Sequence, residues 1–152
     1  MNDPDHLIVA KWDQTKWLVA SSFLFIIPSI YAYYNKLHSY SILILLTSLI
    51  SANYWRNAVY SWRRNMDIVF ANISFIIFAS NGIIYIRYLP YFVTGYGGLC
   101  ILLYCFYLSN TLHKVGNNNW YKYHFMFHLI MVCEQYIILD SILSTDRSLP
   151  SP

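Results

Sequence analysis

The chain has 152 residues, of which 57% are hydrophobic, 19% aromatic and 11% charged, with a formal net charge of +3. A soluble domain usually carries about 25% charged residues, so this composition excludes an ordinary water-soluble globule and points to lipid as the solvent. The basic residues flank apolar stretches and give no basis for nucleic acid binding, and Cys100, Cys105 and Cys133 lie inside such stretches, where thiols act as small hydrophobes rather than as a disulfide framework or zinc site.

Crossing a hydrocarbon layer of about 30 Å takes roughly 20 apolar residues in a helix, and five charge-free stretches approach that length. The first runs from Trp17 to Tyr34. It follows Asp3, Asp5 and Asp13 without an A-x-A-like cleavage site, so it is expected to remain as a helix rather than to be removed as a signal peptide. After "NKLHS" the second stretch runs from Leu37 to Trp55, and the third runs from Ile68 to Ile86. Beyond "RYLP", Tyr88 to Leu112 contains the glycine-rich "TGYGG", which lacks a phosphate-loop pattern and suits close helix packing. Beyond "KVGNNN", Tyr123 to Leu139 is the most polar of the five. The breaks carry turn residues and are short, so consecutive helices should pack antiparallel. The expectation is an all-α integral membrane bundle of about five transmembrane helices spanning 17–139, with a cytosolic segment at 1–16 and a short tail at 140–152 that ends in the low-complexity "SLPSP".

With five spans, Lys11, Lys16, Arg56, Arg63, Arg64, Lys114 and Lys122 fall on the side of the N-terminus, and Lys36, Arg87 and Arg147 on the other. The excess of basic residues marks the cytosolic side. The N-terminus is therefore expected in the cytosol and the C-terminus outside the cell or in a lumen. Trp12, Trp17, Trp55, Trp62, Tyr88 and Trp120 near span ends read as an interfacial aromatic belt.

The polar residues within the spans form stripes. Asp67, Ser74 and Asn81 recur every seven residues, which at 100° per residue holds them within about 40° of one another. His124, His128 and Gln135 share a similar arc on the last span, and Thr47, Ser51 and Trp55 share one on the second. Each stripe should turn inward, because ionisable and strongly polar groups are costly against hydrocarbon. Glu134 lies off the histidine arc and is expected to face another helix. Ser51, Asp67, His124 and His128 are all expected at similar depth near the cytosolic face.

Histidines four residues apart offer two imidazoles on one helix face to a single metal ion. A catalytic zinc needs a third protein ligand and a water, and a carboxylate such as Asp67 would hold that water or take its proton. The competing reading is structural: His124 and His128 hydrogen-bond to hydroxyls across helices, and Asp67 pairs with Arg63 or Arg64 at a helix start. An ion or proton path is a third class, suggested by Glu134.

The segment "SANYWRNAVYSWRRNMDIVFANIS" (51–74), with "YHFMFHLIMV" (123–132), resembles the hemolysin III and progestin/adipoQ receptor family, whose pattern is S-x-x-Y-H, a basic loop, an Asp opening the next helix, and a last-helix H-x-x-x-H. The wider superfamily includes the alkaline ceramidases. The resemblance implies seven helices, a zinc held by three histidines near the cytosolic side, and hydrolysis of lipid amide bonds. It assigns Ser51 and Asp67 to the catalytic set and His124 and His128 to the metal. Five spans depart from that layout by two helices. Trp55 departs from it chemically, because it stands where the first metal histidine is expected and an indole offers only an N–H donor. His113, near the end of the fourth span, is the other histidine placed to be a third ligand. The expectation is a multi-pass membrane protein of this resemblance with an incomplete zinc site and a packing, lipid-binding or partner-binding role, its partner another membrane protein or a second copy. The alternative is a zinc-dependent lipid hydrolase with a rebuilt third ligand.

Overall fold

A computed structural model describes residues 8–148; the "SLPSP" tail lies almost wholly outside the described residues. The helices run, in chain order, α1 (Trp12–Phe23), α2 (Ile26–Tyr34), α3 (His38–Trp55), α4 (Trp62–Tyr85), α5 (Leu89–Lys114) and α6 (Trp120–Ser148). The described residues form an all-α bundle without a β-sheet, apart from an isolated antiparallel bridge between Ile8 and Val59. Four helical rods are long and apolar enough to cross a membrane: Trp12–Tyr34, Trp62–Tyr85, Leu89–Lys114 and Trp120–Thr145. The chain is a multi-pass membrane protein. Ile76, Ile83 and Ile84 on α4 and Leu103, Tyr104 and Tyr107 on α5 are exposed, as lipid-facing positions should be.

α1 and α2 are one rod with a break at Leu24 and Phe25. Pro28 has no N–H to return to the Leu24 carbonyl, so the next bond is a tighter one from Ile27 N to Leu24 O at 3.1 Å. The rod begins at Trp12, earlier than the charge-free stretch implies, because lysine and aspartate on a first turn can face water. α3 differs from the other rods. It has 18 residues, carries buried Ser41, Thr47, Ser48 and Ser51, and is not among the four rods long and apolar enough to cross. It nonetheless runs beside the first rod over its whole length. Ser41 meets Ser29 at one end, with hydroxyls 3.2 Å apart, and Ser51 meets Ser22 toward the other, at 3.3 Å. α6 extends past Leu139 to Ser148, with Asp140 accepting hydrogen bonds from Tyr31 Oη at 2.8 Å and Tyr91 Oη at 2.7 Å. Two neutral donors thus hold a carboxylate that sequence alone assigns to the tail.

The turns are tight. At the end of α2 Lys36 takes φ 64°, with Leu37 N bonded to Ala32 O at 2.9 Å, and at the end of α5 Gly116 takes φ 70°, with Asn117 N bonded to Leu112 O at 2.9 Å. Both close the helix with a left-handed residue and a six-to-one bond. α5 opens with Pro90 in its first turn, where a missing N–H costs nothing.

Two apolar cores result. Leu18, Tyr54, Trp55, Ala58 and Trp120 close the end of the bundle that holds the start of α1. Phe25, Ile44, Phe78, Ile86, Ile138 and Leu139 belong to the core nearer the opposite end. The inward turn of the polar stripes is visible between them: Ser74 and Gln135 are buried, and Asn81 accepts from Tyr40 Oη at 3.0 Å. α5 packs extensively on α6, whereas the consecutive helices α4 and α5 barely touch.

Candidate functional site

α6 is the central rod, and its first turns carry the histidine pair. The His124 and His128 rings stand 5.0 Å apart, centroid to centroid, as one-turn spacing requires. His128 is buried and its Nδ1 lies 2.7 Å from Ser21 Oγ, in the last turn of α1 before the break. Ser21 Oγ is also 3.1 Å from the Leu18 carbonyl. With the serine proton on that carbonyl, His128 donates Nδ1–H to the hydroxyl and keeps the lone pair of Nε2 free. His124 Nδ1 lies 3.3 Å from Ser109 Oγ on α5. Among the described residues neither Nε2 has a hydrogen-bond partner.

The serines continue away from His128. Ser22 lies 3.3 Å from Ser51, Ser48 donates to the Ser22 carbonyl at 2.8 Å, and the Ser51 hydroxyl interacts with the Asp67 carboxylate on α4. Asp67 does not form an ion pair with Arg63 or Arg64; among the described residues the salt bridge present is Lys16–Asp13. Arg64 instead lies over the Tyr60 ring, 5.0 Å from its centroid, and interacts with the Tyr54 hydroxyl.

Trp55 ends α3 beside the histidines. Its ring is 4.9 Å from that of His124, edge to face, and 5.9 Å from that of Trp120. The indole is buried and, among the described residues, its Nε1 has no acceptor. His113 does not join the pair. Its Nε2 donates to the Val9 carbonyl at 3.0 Å and its ring packs on Trp120 at 4.9 Å, while Trp120 lies 6.3 Å from His124. Val9 is itself held by a 2.8 Å bond from its N to Ala58 O.

These groups line one cavity of about 610 Å³, walled by Ser51, Asp67, His113, His124 and His128 and, on its apolar side, by Phe75, Leu102 and Phe106. Ligand pockets fall between about 300 and 1,000 Å³. The cavity is polar at the N-terminal end of the bundle and apolar toward its middle. Among the described residues no three His, Cys, Asp or Glu side chains come together as a group able to hold a metal ion. The residues present do not fit a three-histidine zinc: Trp55 has no lone pair to give, and His113, bonded through Nε2 to the Val9 carbonyl, does not group with His124 and His128.

Sequence reasoning missed Ser21 and Ser109, the partners of the histidines. Adjacent serines before a proline in an apolar rod were the available signal for Ser21; nothing local marks Ser109 or the crossing of residues 8–10 over the cavity. Comparison with protein-family models, curated proteins and solved structures gives no match to this chain.

Ser21→Ala should leave the buried Nδ1 of His128 unpaired and destabilise the protein by about 1–3 kcal/mol. Thermal unfolding in detergent checks this. The loss should shrink when His128 is already leucine; an equal loss in both backgrounds would show that the hydroxyl does not act through the imidazole.

Proposed function

We propose that this protein binds a membrane lipid in the 610 Å³ cavity, with the lipid's polar part beside Ser51, Asp67, His124 and His128 and its chain against Phe75, Leu102 and Phe106. One observation carries the reading. The buried side-chain atoms without a partner among the described residues, Trp55 Nε1, Ser74 Oγ and Gln135 Oε1, all belong to residues that line this cavity. Each unpaired group costs about 1–3 kcal/mol, and polar residues kept only as glue between helices should be satisfied by one another. A ligand with its own polar atoms explains the pattern better. The layout of Ser51, Tyr54, Asp67 and the histidine pair supports descent from the hemolysin III, adipoQ receptor and alkaline ceramidase superfamily with one metal ligand lost.

Native mass spectrometry of the detergent-solubilised protein should show one retained lipid per chain. Thr47→Trp, which fills the cavity from α3, should remove it without unfolding the bundle. Absence of lipid from the unmodified protein, or equal retention in the filled variant, would overturn the reading.

A second reading, a zinc-dependent lipid hydrolase, is favoured by one feature: serine hydroxyls fix Nδ1 of both histidines and leave both Nε2 atoms unpartnered, as orienting partners do for metal-binding imidazoles. We expect little tightly held zinc in the unmodified protein. Trp55→His should raise the zinc content, because residue 55 packs directly on His124, and His128→Ala should cancel the gain. Stoichiometric zinc in the unmodified protein that disappears with His113→Ala would favour the hydrolase instead.

The seven-to-three excess of basic residues supports a cytosolic N-terminus, and a fifth crossing by α3, beside the four longer apolar rods, would carry the C-terminus to the opposite side. Protease protection of terminal tags in sealed vesicles should find them on different sides. Both on one side would mean that α3 does not span.

A further inference from the structure

Glu134 sits midway along α6, fifteenth of the 26 residues from Trp120 to Thr145, and takes no part in the site described above. Its residue is 8% exposed. The carboxylate lies flat on α5 where that helix has no side chains: a Cβ on Gly98 would collide with Glu134 Oε1, and one on Gly95 would stand 3.7 Å from Oε2. Among the described residues it has no hydrogen bond and no ion pair. A neutral carboxyl kept as helix glue would donate to an acceptor, and none is paired with it here.

The group lines a narrow crevice of about 110 Å³ between α4 and α5, floored by α6. The walls are Gly82, Ile86, Gly95, Leu99 and Ile138, together with Gln135, and no Lys, Arg or His lines it. An acidic group in the middle of a membrane span, cleared by glycines on the facing helix and left without a donor, is costly to keep and marks a binding position. The missing chemistry is a hydrogen-bond donor carrying positive charge. A metal ion does not fit, because calcium or magnesium requires six or more oxygen ligands and this crevice is otherwise apolar. A double-chain lipid headgroup does not fit either, since Glu134 lies about 21 Å along the helix from Trp120, far below the interface. The size suits something small: a cavity of about 150 Å³ accepts benzene, so 110 Å³ accepts an ammonium with its first few methylenes.

We propose that Glu134 binds a membrane-soluble primary amine, its ammonium paired with the carboxylate in the crevice and its alkyl chain running out between α4 and α5, which do not close on each other. The ion pair is neutral overall, which is the form hydrocarbon tolerates. This site is separate from the lipid cavity, although Phe75, Leu102, Met131 and Gln135 wall both.

The test uses the full chain in phosphatidylcholine nanodiscs with radiolabelled dodecylamine as probe, measured by scintillation proximity. Binding should be saturable, should weaken at least tenfold in Glu134→Gln, and should be displaced by unlabelled dodecylamine but not by dodecanol. Glu134→Asp, which keeps the charge on a shorter arm, should retain part of the affinity. Displacement by dodecanol as effectively as by the amine would overturn the proposal, as would unchanged affinity in Glu134→Gln or uptake that never saturates. Should Glu134→Gln fail to fold, the contest between amine and alcohol on the unmodified protein decides. Thr47→Trp should leave amine binding intact, so failure here is distinguishable from failure of the lipid reading.

Discussion

Hydrocarbon supplies no hydrogen-bonding partner, so a polar group carried into the membrane is satisfied inside the bundle or not at all. The contact between Ser21 and His128 is where this chain meets that constraint most directly, and the site geometry depends on it. It ties the first rod to the last across 107 positions of sequence. It also fixes the rotation of α6, and with it the direction of His124, Gln135 and the face that closes the cavity. The break after Ser22 matters for the same reason. Without Pro28 the rod would continue straight, and Ser29 would not meet Ser41 while Ser21 meets His128.

The N-terminal end of the cavity is closed by aromatic rings. Trp55 packs on His124 and Trp120 and joins Leu18 and Tyr54 in an apolar core. Burying a large indole is favourable by roughly 25 cal/mol per Å² of apolar surface, against which its unpaired Nε1 sets a cost of about 1–3 kcal/mol. This aromatic packing makes that end of the bundle self-supporting. Trp120 extends the aromatic wall to His113, whose bond to the Val9 carbonyl holds residues 8–10 against the same core.

The rods were legible because their information is local: charge-free length, turn residues between stretches, and polar stripes at helical period. Span ends were less legible. Lysines, aspartates and tyrosines stop an apolar count but not a helix, so α1 starts before Trp17 and α6 runs past Leu139. The depth of Ser51, Asp67 and the histidines followed from topology, and all line one cavity. Their bonding did not follow. Asp67 beside two arginines reads as half of an ion pair in sequence, yet in three dimensions Ser51 interacts with the carboxylate, while Arg64 turns to the Tyr60 ring and the Tyr54 hydroxyl. Glu134 likewise revealed its charge but not its neighbour, since Gly95 and Gly98 mark a close approach without naming what approaches.

What separates a binding protein from an inert bundle here is where polar satisfaction fails. The far end of the molecule is saturated: Asp140 receives two tyrosine hydroxyls, Asn81 receives Tyr40 and donates to the Ile77 carbonyl, and Ser141 returns its proton to its own helix. The unpaired atoms of Trp55, Ser74 and Gln135 and the unpartnered carboxylate of Glu134 instead border the two cavities. Total stabilities are about 5–15 kcal/mol, and several unsatisfied groups at about 1–3 kcal/mol each consume a large share of that. A fold able to saturate one end by ordinary hydroxyl and amide chemistry had the means to saturate the other. Concentrating the deficit around the two cavities is the arrangement expected when the remaining partners come with a ligand, and it is the physical reason to look for that ligand before assigning the polar cluster to packing.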